Sequence, residues 1–264
     1  MDLQLSGKRV LVTGSTAGIG WATARLMAAE GAEVVINGRT TERVGAAVAR
    51  IRDSVTGTKV QGIAADLSDA KGVALLIAGA GDVDVLVNNM GIFEPKPFEE
   101  IEDEAWFRFF ETNVMSGVRL ARHYLPKMKA VNSGRIIFVS SESGICPPAE
   151  MVHYGMSKSA QLSVSRGLAE TCAGTAVTVN AVLPGPTRTE GVGEFFAKLA
   201  RDQGISLEEM ERKLFSEARP TSIIRRFIDP EEVAGAVAYL CSGRAGATNG
   251  AAFRVDGGIV RAIM

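Results

Sequence analysis

The stretch Arg9-Val10-Leu11-Val12-Thr13-Gly14-Ser15-Thr16-Ala17-Gly18-Ile19-Gly20 decides how the rest of the chain is read. Arg9–Thr13 is a short apolar run bounded by Gly7 and Gly14, and it reads as a strand. Residues Ile19 to Glu30 are Ala-rich and stop at Gly31, the position of a helix C′ glycine. Between the two, Gly14, Gly18 and Gly20 form a turn whose backbone can approach a pyrophosphate closely. The free N–H groups at the start of the helix offer such a group donors and a partial positive charge. Gly14, Ser15, Thr16, Gly18, Ile19 and Gly20 are therefore candidate nucleotide contacts. The plainer alternative is an ordinary glycine-rich turn, but the flanking strand and helix are the context that the nucleotide reading requires.

The same alternation continues outward. Glu33–Ile36, Val60–Ala64, Val83–Val87, Arg135–Val139, Ala176–Val182 and Phe253–Val255 read as further strands, with helical patterns between them. Thr41 to Asp53 shows the helical spacing clearly, with Val44, Ala47, Val48 and Ile51 on one face. Apolar, β-branched strands alternating with helices predict a parallel sheet of about seven strands covered on both faces, a doubly wound Rossmann fold of the α/β class. No composition shift or linker divides residues 1–264, so one nucleotide-binding domain is expected. Residues 190–227 carry no strand signal and read as two helical pieces, Glu194–Asp202 and Leu207–Ala218, a helical lid inserted before the last strand.

Composition narrows the function classes. The chain has 264 residues, 46% hydrophobic and 22% charged, with 29 Lys+Arg against 30 Asp+Glu and a net charge of -1. That balance lacks the basic footprint of a dedicated nucleic-acid binder. Cys146, Cys172 and Cys241 are odd in number and widely spaced, which argues against a disulfide framework or a zinc ribbon. His123 and His153 form no ligand motif, so no metal site is expected. With no signal-like N-terminus and no apolar run long enough to span a membrane, a soluble cytoplasmic protein is expected.

The spacing Gly14-x-x-x-Gly18-x-Gly20, preceded by Thr13, resembles the short-chain dehydrogenase/reductase family. Matches continue along nearly the whole chain: Asn88-Asn89-Met90-Gly91, Asn113, Ser141, the Tyr154-x-x-x-Lys158 pair, Pro184-Gly185 and the closing Val255-Asp256-Gly257-Gly258. Among members the chain is most similar to 3-oxoacyl carrier-protein reductases and related secondary-alcohol dehydrogenases. The resemblance implies Asn88, Gly91, Pro184, Gly185, Thr187 and Thr189 as further cofactor contacts, and the pair Asp66-Leu67 over an adenine. For Asp66 or Ser68, capping of the next helix is an equal alternative. Met90 stands where the family has alanine and is expected near the ribose or the pocket floor.

The end of the second strand reads Ile36-Asn37-Gly38-Arg39. No carboxylate stands there to repel a 2′-phosphate, and the Arg39 guanidinium can fork onto one, so NADP(H) is favoured over NAD(H).

Tyr154 and Lys158 are four residues apart and share a helix face. A nearby ammonium stabilises a phenolate, so the tyrosine pKa is expected to fall toward the working range. The resemblance implies that Tyr154 exchanges a proton with the substrate oxygen, Ser141 orients that oxygen, Lys158 also holds the nicotinamide ribose, and Asn113, in a distorted helix, positions a relaying water. Phe93, Ile145, Met151 and Phe195 are candidate substrate contacts beside Glu94, Glu142, Pro147 and Phe196, a largely apolar set that suits a hydrophobic carbonyl compound. His153 points to another helix face and reads as structural. Arg219, Arg225 and Arg226 read as a solvated charged face, with an anionic substrate as the alternative.

Together these residues predict an NADP(H)-dependent oxidoreductase acting on a ketone or secondary alcohol. Two rivals are a non-catalytic NADP(H)-binding regulator and a serine hydrolase using Ser141 with His153. The hydrolase lacks a G-x-S-x-G elbow, since Val139 stands at its first glycine. The partner expected is a small molecule, with neither nucleic acid nor membrane. A homotetramer or homodimer follows from the resemblance and from apolar residues on more than one face of the helices Thr112–Met128 and His153–Cys172.

Overall fold

The computed structural model describes residues 2–263. Seven strands form one parallel sheet: β1 (Arg9–Val12), β2 (Glu33–Gly38), β3 (Lys59–Ala64), β4 (Val85–Asn88), β5 (Gly134–Val139), β6 (Val177–Pro184) and β7 (Ala252–Val255). Their order is β3-β2-β1-β4-β5-β6-β7, with Val10 beside both Val34 and Val85. Helices α1 (Gly18–Ala29), α2 (Thr41–Ser54), α3 (Ala70–Ala80), α4 (Asp103–Phe109), α5 (Ser116–Ala130) and α6 (Val152–Glu170) connect the strands through β6. Between β6 and β7 lie α7 (Glu190–Gln203), α8 (Leu207–Lys213) and α9 (Pro230–Cys241).

Alternation along each strand feeds two cores. Val10 and Val12 point into one, with Met27, Ile51 and Val237; Leu11 points into the other, with Leu76, Leu120 and Phe138. Burial on both faces is why the inner strands β1, β4 and β5 read as largely apolar runs, whereas the edge strands β3 and β7 are partly exposed.

Two local features differ from the sequence reading or refine it. Helix α3 is capped by Asp69, whose carboxylate accepts from the Gly72 N–H, and not by Asp66 or Ser68. Asp66 instead accepts from the Ser68 N–H in the turn before it. Between α4 and α5 the helix widens into a π turn, Phe110–Met115, which contains Asn113. No helix among the described residues is long and apolar enough to cross a membrane.

Candidate active site

The strand order reverses between β3-β2-β1 and β4-β5-β6-β7, and ligands of such sheets bind where the carboxyl ends diverge. A cavity of about 700 Å³ lies at that edge. The turns after β1, β4, β5 and β6 form its floor, and α7 with α8 forms its outer wall.

At one end of the cavity is the start of α1. Gly18, Ile19 and Gly20 line it, and Ala17 at the N-cap offers no side chain to satisfy the first N–H groups. The first turn of α1 also has no acidic residue, so nothing there opposes an anion. The turn is held from the next strand. Thr13 Oγ1 accepts from the N–H groups of Asn89 and Met90, and Asn89 Nδ2 donates to the carbonyls of Thr13 and Gly14. A Cβ on Gly20 would lie 2.5 Å from the Gly14 carbonyl oxygen, so only glycine permits this packing. An uncapped, acid-free helix start in a cavity wall fits a dinucleotide pyrophosphate.

Several expected cofactor residues are placed differently. Asn88 is buried away from the cavity, and its side-chain amide finds no hydrogen-bond partner among the described residues; Asn89 lines the cavity instead. The Leu67 side chain sits in the second core, which leaves only its backbone to face a ligand. Met90 also packs against that core. Ser15 is buried, with its hydroxyl donating to the Val12 carbonyl and accepting from the Asn37 N–H, so it ties β1 to β2. Thr16 leans on Gly38, where a Cβ would meet Thr16 Cγ2 at 2.4 Å; packing therefore accounts for the glycine that ends β2. Arg39, just beyond, is exposed and makes no hydrogen bond or ion pair among the described residues. Arg43 on the first turn of α2 is a second exposed guanidinium, which sequence spacing did not single out. Pro184, Gly185, Thr187 and Thr189 line the far side, with the Thr189 hydroxyl capping α7.

Ser141, Tyr154 and Lys158 line the same cavity. Ser141 follows β5, while Tyr154 and Lys158 come from the first two turns of α6. Asn113 stands behind them. Its amide brackets Ile92, accepting from the N–H at 2.8 Å and donating to the carbonyl at 3.0 Å, and donates to Ser157 Oγ. The Asn113 carbonyl, inside the π turn, accepts from Gln161 Nε2 at 2.6 Å. Gln161 Oε1 in turn accepts from Lys158 Nζ at 3.1 Å, and Lys158 also donates to the Val139 carbonyl. A fully buried side-chain amide thus spans the gap expected to hold a water. Gln161 lies seven residues after Tyr154 and three after Lys158, so its place on the same helix face is written in the sequence spacing.

The electrostatics reverse one expectation. The Tyr154 hydroxyl is pushed above its ordinary pKa, first by burial and then by the Glu142 carboxylate. Ser141 and Arg219 oppose this more weakly. Lys158 Nζ, 5.7 Å from the Tyr154 ring centroid, does not offset them. Burial pulls Lys158 itself down to about 8, with Glu142 acting against the fall. At neutral pH the tyrosine holds its proton and the lysine its charge.

The substrate end is more polar than the sequence suggested. Phe93 and Phe195 meet edge to face at 6.5 Å, and Met151 joins them, but Ile145 is exposed outside the cavity. Glu142 is buried beside Ser141 and faces Arg219, whose side chain is only 13% exposed. Arg219 is therefore no solvated surface charge; it enters the cavity from the insertion and also pairs with Glu150 at 3.0 Å. Arg226 pairs with Glu232. His153 is fully buried against Phe109, with ring centroids 4.0 Å apart. Neither imidazole nitrogen has a partner among the described residues, so His153 does not activate Ser141 as a hydrolase would require.

Comparison with known proteins bears on this arrangement. The short chain dehydrogenase family profile matches residues 8–200. An oxidoreductase of Bacillus subtilis, YvaG, is 48% identical over 263 residues, covering 100% of both chains. D-beta-hydroxybutyrate dehydrogenase of Cupriavidus necator is 34% identical, covering 97% of this chain and 99% of that protein. The structure of L-sorbose reductase from Gluconobacter frateurii, complexed with NADPH and L-sorbose, superposes with a TM-score of 0.94 at 32% identity over 100% of both chains.

Proposed function

Because the chain belongs to the short-chain dehydrogenase/reductase family, and is thereby an NAD(P)-dependent oxidoreductase of ketone and hydroxyl groups, we propose that it reduces a ketone with NADPH and that Tyr154 supplies the proton. One observation carries this reading: Ser141, Tyr154 and Lys158 line one cavity together with the uncapped start of α1. Hydride transfer to or from the carbonyl carbon is the chemistry that a bound nicotinamide supplies. The Gly14–Gly20 turn would hold the pyrophosphate, Arg39 a 2′-phosphate, Asp66 the adenine side, Lys158 the ribose, and Thr187 with Thr189 the carboxamide.

Tyr154 donates its hydroxyl proton to the substrate oxygen as negative charge develops there, and Ser141 fixes that oxygen in reach. The raised tyrosine pKa suits this direction, since the acid stays loaded at neutral pH. Lys158, charged below about 8, stabilises the phenolate left behind. Gln161 holds the Lys158 ammonium in place, accepting from Nζ while its own amide N–H is anchored on the Asn113 carbonyl. Helices α7 and α8 act as a substrate lid over residues 190–227.

The free, exposed guanidinium of Arg39 and the NADPH-bound relative support the choice of NADP(H) over NAD(H). Exposed Phe107, Phe110 and Phe253 support a homotetramer or homodimer. Three free cysteines support a reducing, cytoplasmic setting. The test is NADPH absorbance with purified protein over a panel of ketones and alcohols. Turnover of a ketone with NADPH, lowered at least about a hundredfold in Tyr154→Phe, is the expected result. No turnover of any panel member with either cofactor would overturn the reading.

A further inference from the structure

The Ser141 hydroxyl, which must turn toward a substrate oxygen, already has an acceptor. It donates to Glu142 Oε2 at 2.5 Å and accepts from the Ser143 N–H at 3.1 Å. A carboxylate is a stronger acceptor than a ketone oxygen. Glu142 is only 5% exposed, so it cannot turn to water for a substitute donor. Its other oxygen, Oε1, is engaged by Arg219 Nε at 3.6 Å, and Arg219 is shared with Glu150. If a plain ketone drew Ser141 away, a buried carboxylate oxygen would lose its hydrogen bond, which is costly for a charged group.

We propose that Glu142 is a specificity-determining residue that accepts a hydrogen bond from a substrate hydroxyl next to the reacting carbonyl, so that the cavity selects uncharged α-hydroxyketones and the corresponding vicinal diols. Two adjacent oxygens match the two adjacent side chains. The carbonyl oxygen takes the Ser141 and Tyr154 hydroxyls, and the neighbouring O–H replaces Ser141 as the donor to Glu142. Arg219 comes from the helical insertion, so the segment that covers the cavity also fixes the carboxylate. The charge count sets the second half of the preference. Two carboxylates share one guanidinium here, and the cavity lining as a whole sets Glu142, Glu150, Glu190 and Glu217 against Lys158, Lys213 and Arg219, so an added carboxylate or phosphate on the substrate would meet a net negative lining.

The proposal rests on the ketone-reductase reading above, and the experiment separates the two. Purified enzyme with NADPH is assayed on 2-hydroxyacetophenone, on propiophenone (the same shape without the hydroxyl) and on 2-methoxyacetophenone (the same electron withdrawal without the O–H donor). Hydroxyacetone and methoxyacetone form a smaller pair. In the wild type, kcat/KM for each hydroxyketone should exceed that of its partners at least tenfold. A site built to bond a hydroxyl rejects the analogue lacking it by far more than apolar fit alone can. In Glu142→Gln, which keeps the shape, and in Glu142→Ala, the kcat/KM ratio of each hydroxyketone to its partners should shrink severalfold or fall to about one, whatever the change in absolute rate. Wild-type enzyme that reduces propiophenone or the methoxy ketones as well as the hydroxyketones would overturn the proposal and leave the reductase reading standing. That comparison needs no variant to fold. A wild-type preference that persists undiminished in Glu142→Gln would also overturn it. No turnover of any of these ketones, nor of the wider panel, with either cofactor would remove the reductase reading and this proposal with it.

Discussion

Replacing Gln161 by leucine removes both hydrogen bonds of the buried amide and keeps roughly its volume. Lys158 Nζ then retains the Val139 carbonyl as its remaining acceptor, and the Asn113 carbonyl in the π turn loses its side-chain donor. A hydrogen bond to a charged group contributes about 1.5–3 kcal/mol, and one pKa unit corresponds to about 1.4 kcal/mol. The lysine pKa should therefore drop one to two units below its value of about 8 in the intact protein. The sign is fixed by the role of the lysine. The charged form supports reduction, so activity is lost as pH rises through this pKa, and a lower pKa moves the alkaline limb of the kcat/KM profile toward neutrality. That profile reports the free enzyme, the state described here. Gln161→Glu is the control. It also loses the bond to Asn113, but it places a second carboxylate, beside that of Glu142, near the ammonium, and should move the limb upward. Both variants should melt a few degrees lower, because each loses a buried hydrogen bond worth about 0.5–1.5 kcal/mol. A purely structural glutamine would lower the melting temperature and leave the limb in place. A limb that moves by less than about half a unit in both variants would refute the reasoning.

Other outcomes follow from the same geometry. Arg39→Ala should weaken NADPH roughly ten- to hundredfold and barely change NADH, read by fluorescence titration; wild type binding NADH more tightly than NADPH would end that assignment. Tyr154→Phe should fold and bind NADPH normally while turnover falls by about 10²–10⁴, whereas His153→Ala should do far less to turnover in steady-state assays. Gly20→Ala drives a Cβ to within 2.5 Å of the Gly14 carbonyl and should lower both the melting temperature and cofactor affinity, measured by calorimetry. Light scattering at micromolar protein should give two or four times the 27.9 kDa chain mass, and a monomer mass would exclude the assembly.

The sheet was legible because burial on both faces leaves a strong trace: β1 and β5 are apolar beyond Arg9 and Arg135, β6 is apolar but for Thr178 and Asn180, and the glycine-rich turn after β1 marks its end. The cavity wall was legible for the same reason, since backbone-defined positions such as Gly18, Gly20 and Gly185 depend on close approach. Side-chain direction left a weaker trace. Asn88 and Asn89 are adjacent and identical, and only the alternation of β4 decides which one faces the turn. Leu67 belongs to a family pair and Ile145 to an apolar set of candidate substrate contacts, yet one side chain faces the core and the other solvent. Asp69 competed with Asp66 and Ser68 as a cap, and all three are good capping types.

The electrostatics were the least legible, because they depend on elements far apart in sequence. Tyr154 and Lys158 suggest a lowered tyrosine pKa only if the ammonium is the nearest strong influence. In the folded chain Glu142 from the β5 turn and Arg219 from the insertion enter the same space, 12 residues before and 65 after the tyrosine. Burial then acts on both members of the pair, keeping the proton on the tyrosine and loosening it on the lysine. The consequence is directional. Reduction needs a protonated Tyr154 and a charged Lys158, and between neutrality and about pH 8 the cofactor-free site holds both. Oxidation needs the phenolate, which burial and Glu142 oppose. The residue that raises the tyrosine pKa also occupies Ser141, so the carboxylate that biases the proton is the one that an incoming substrate must satisfy.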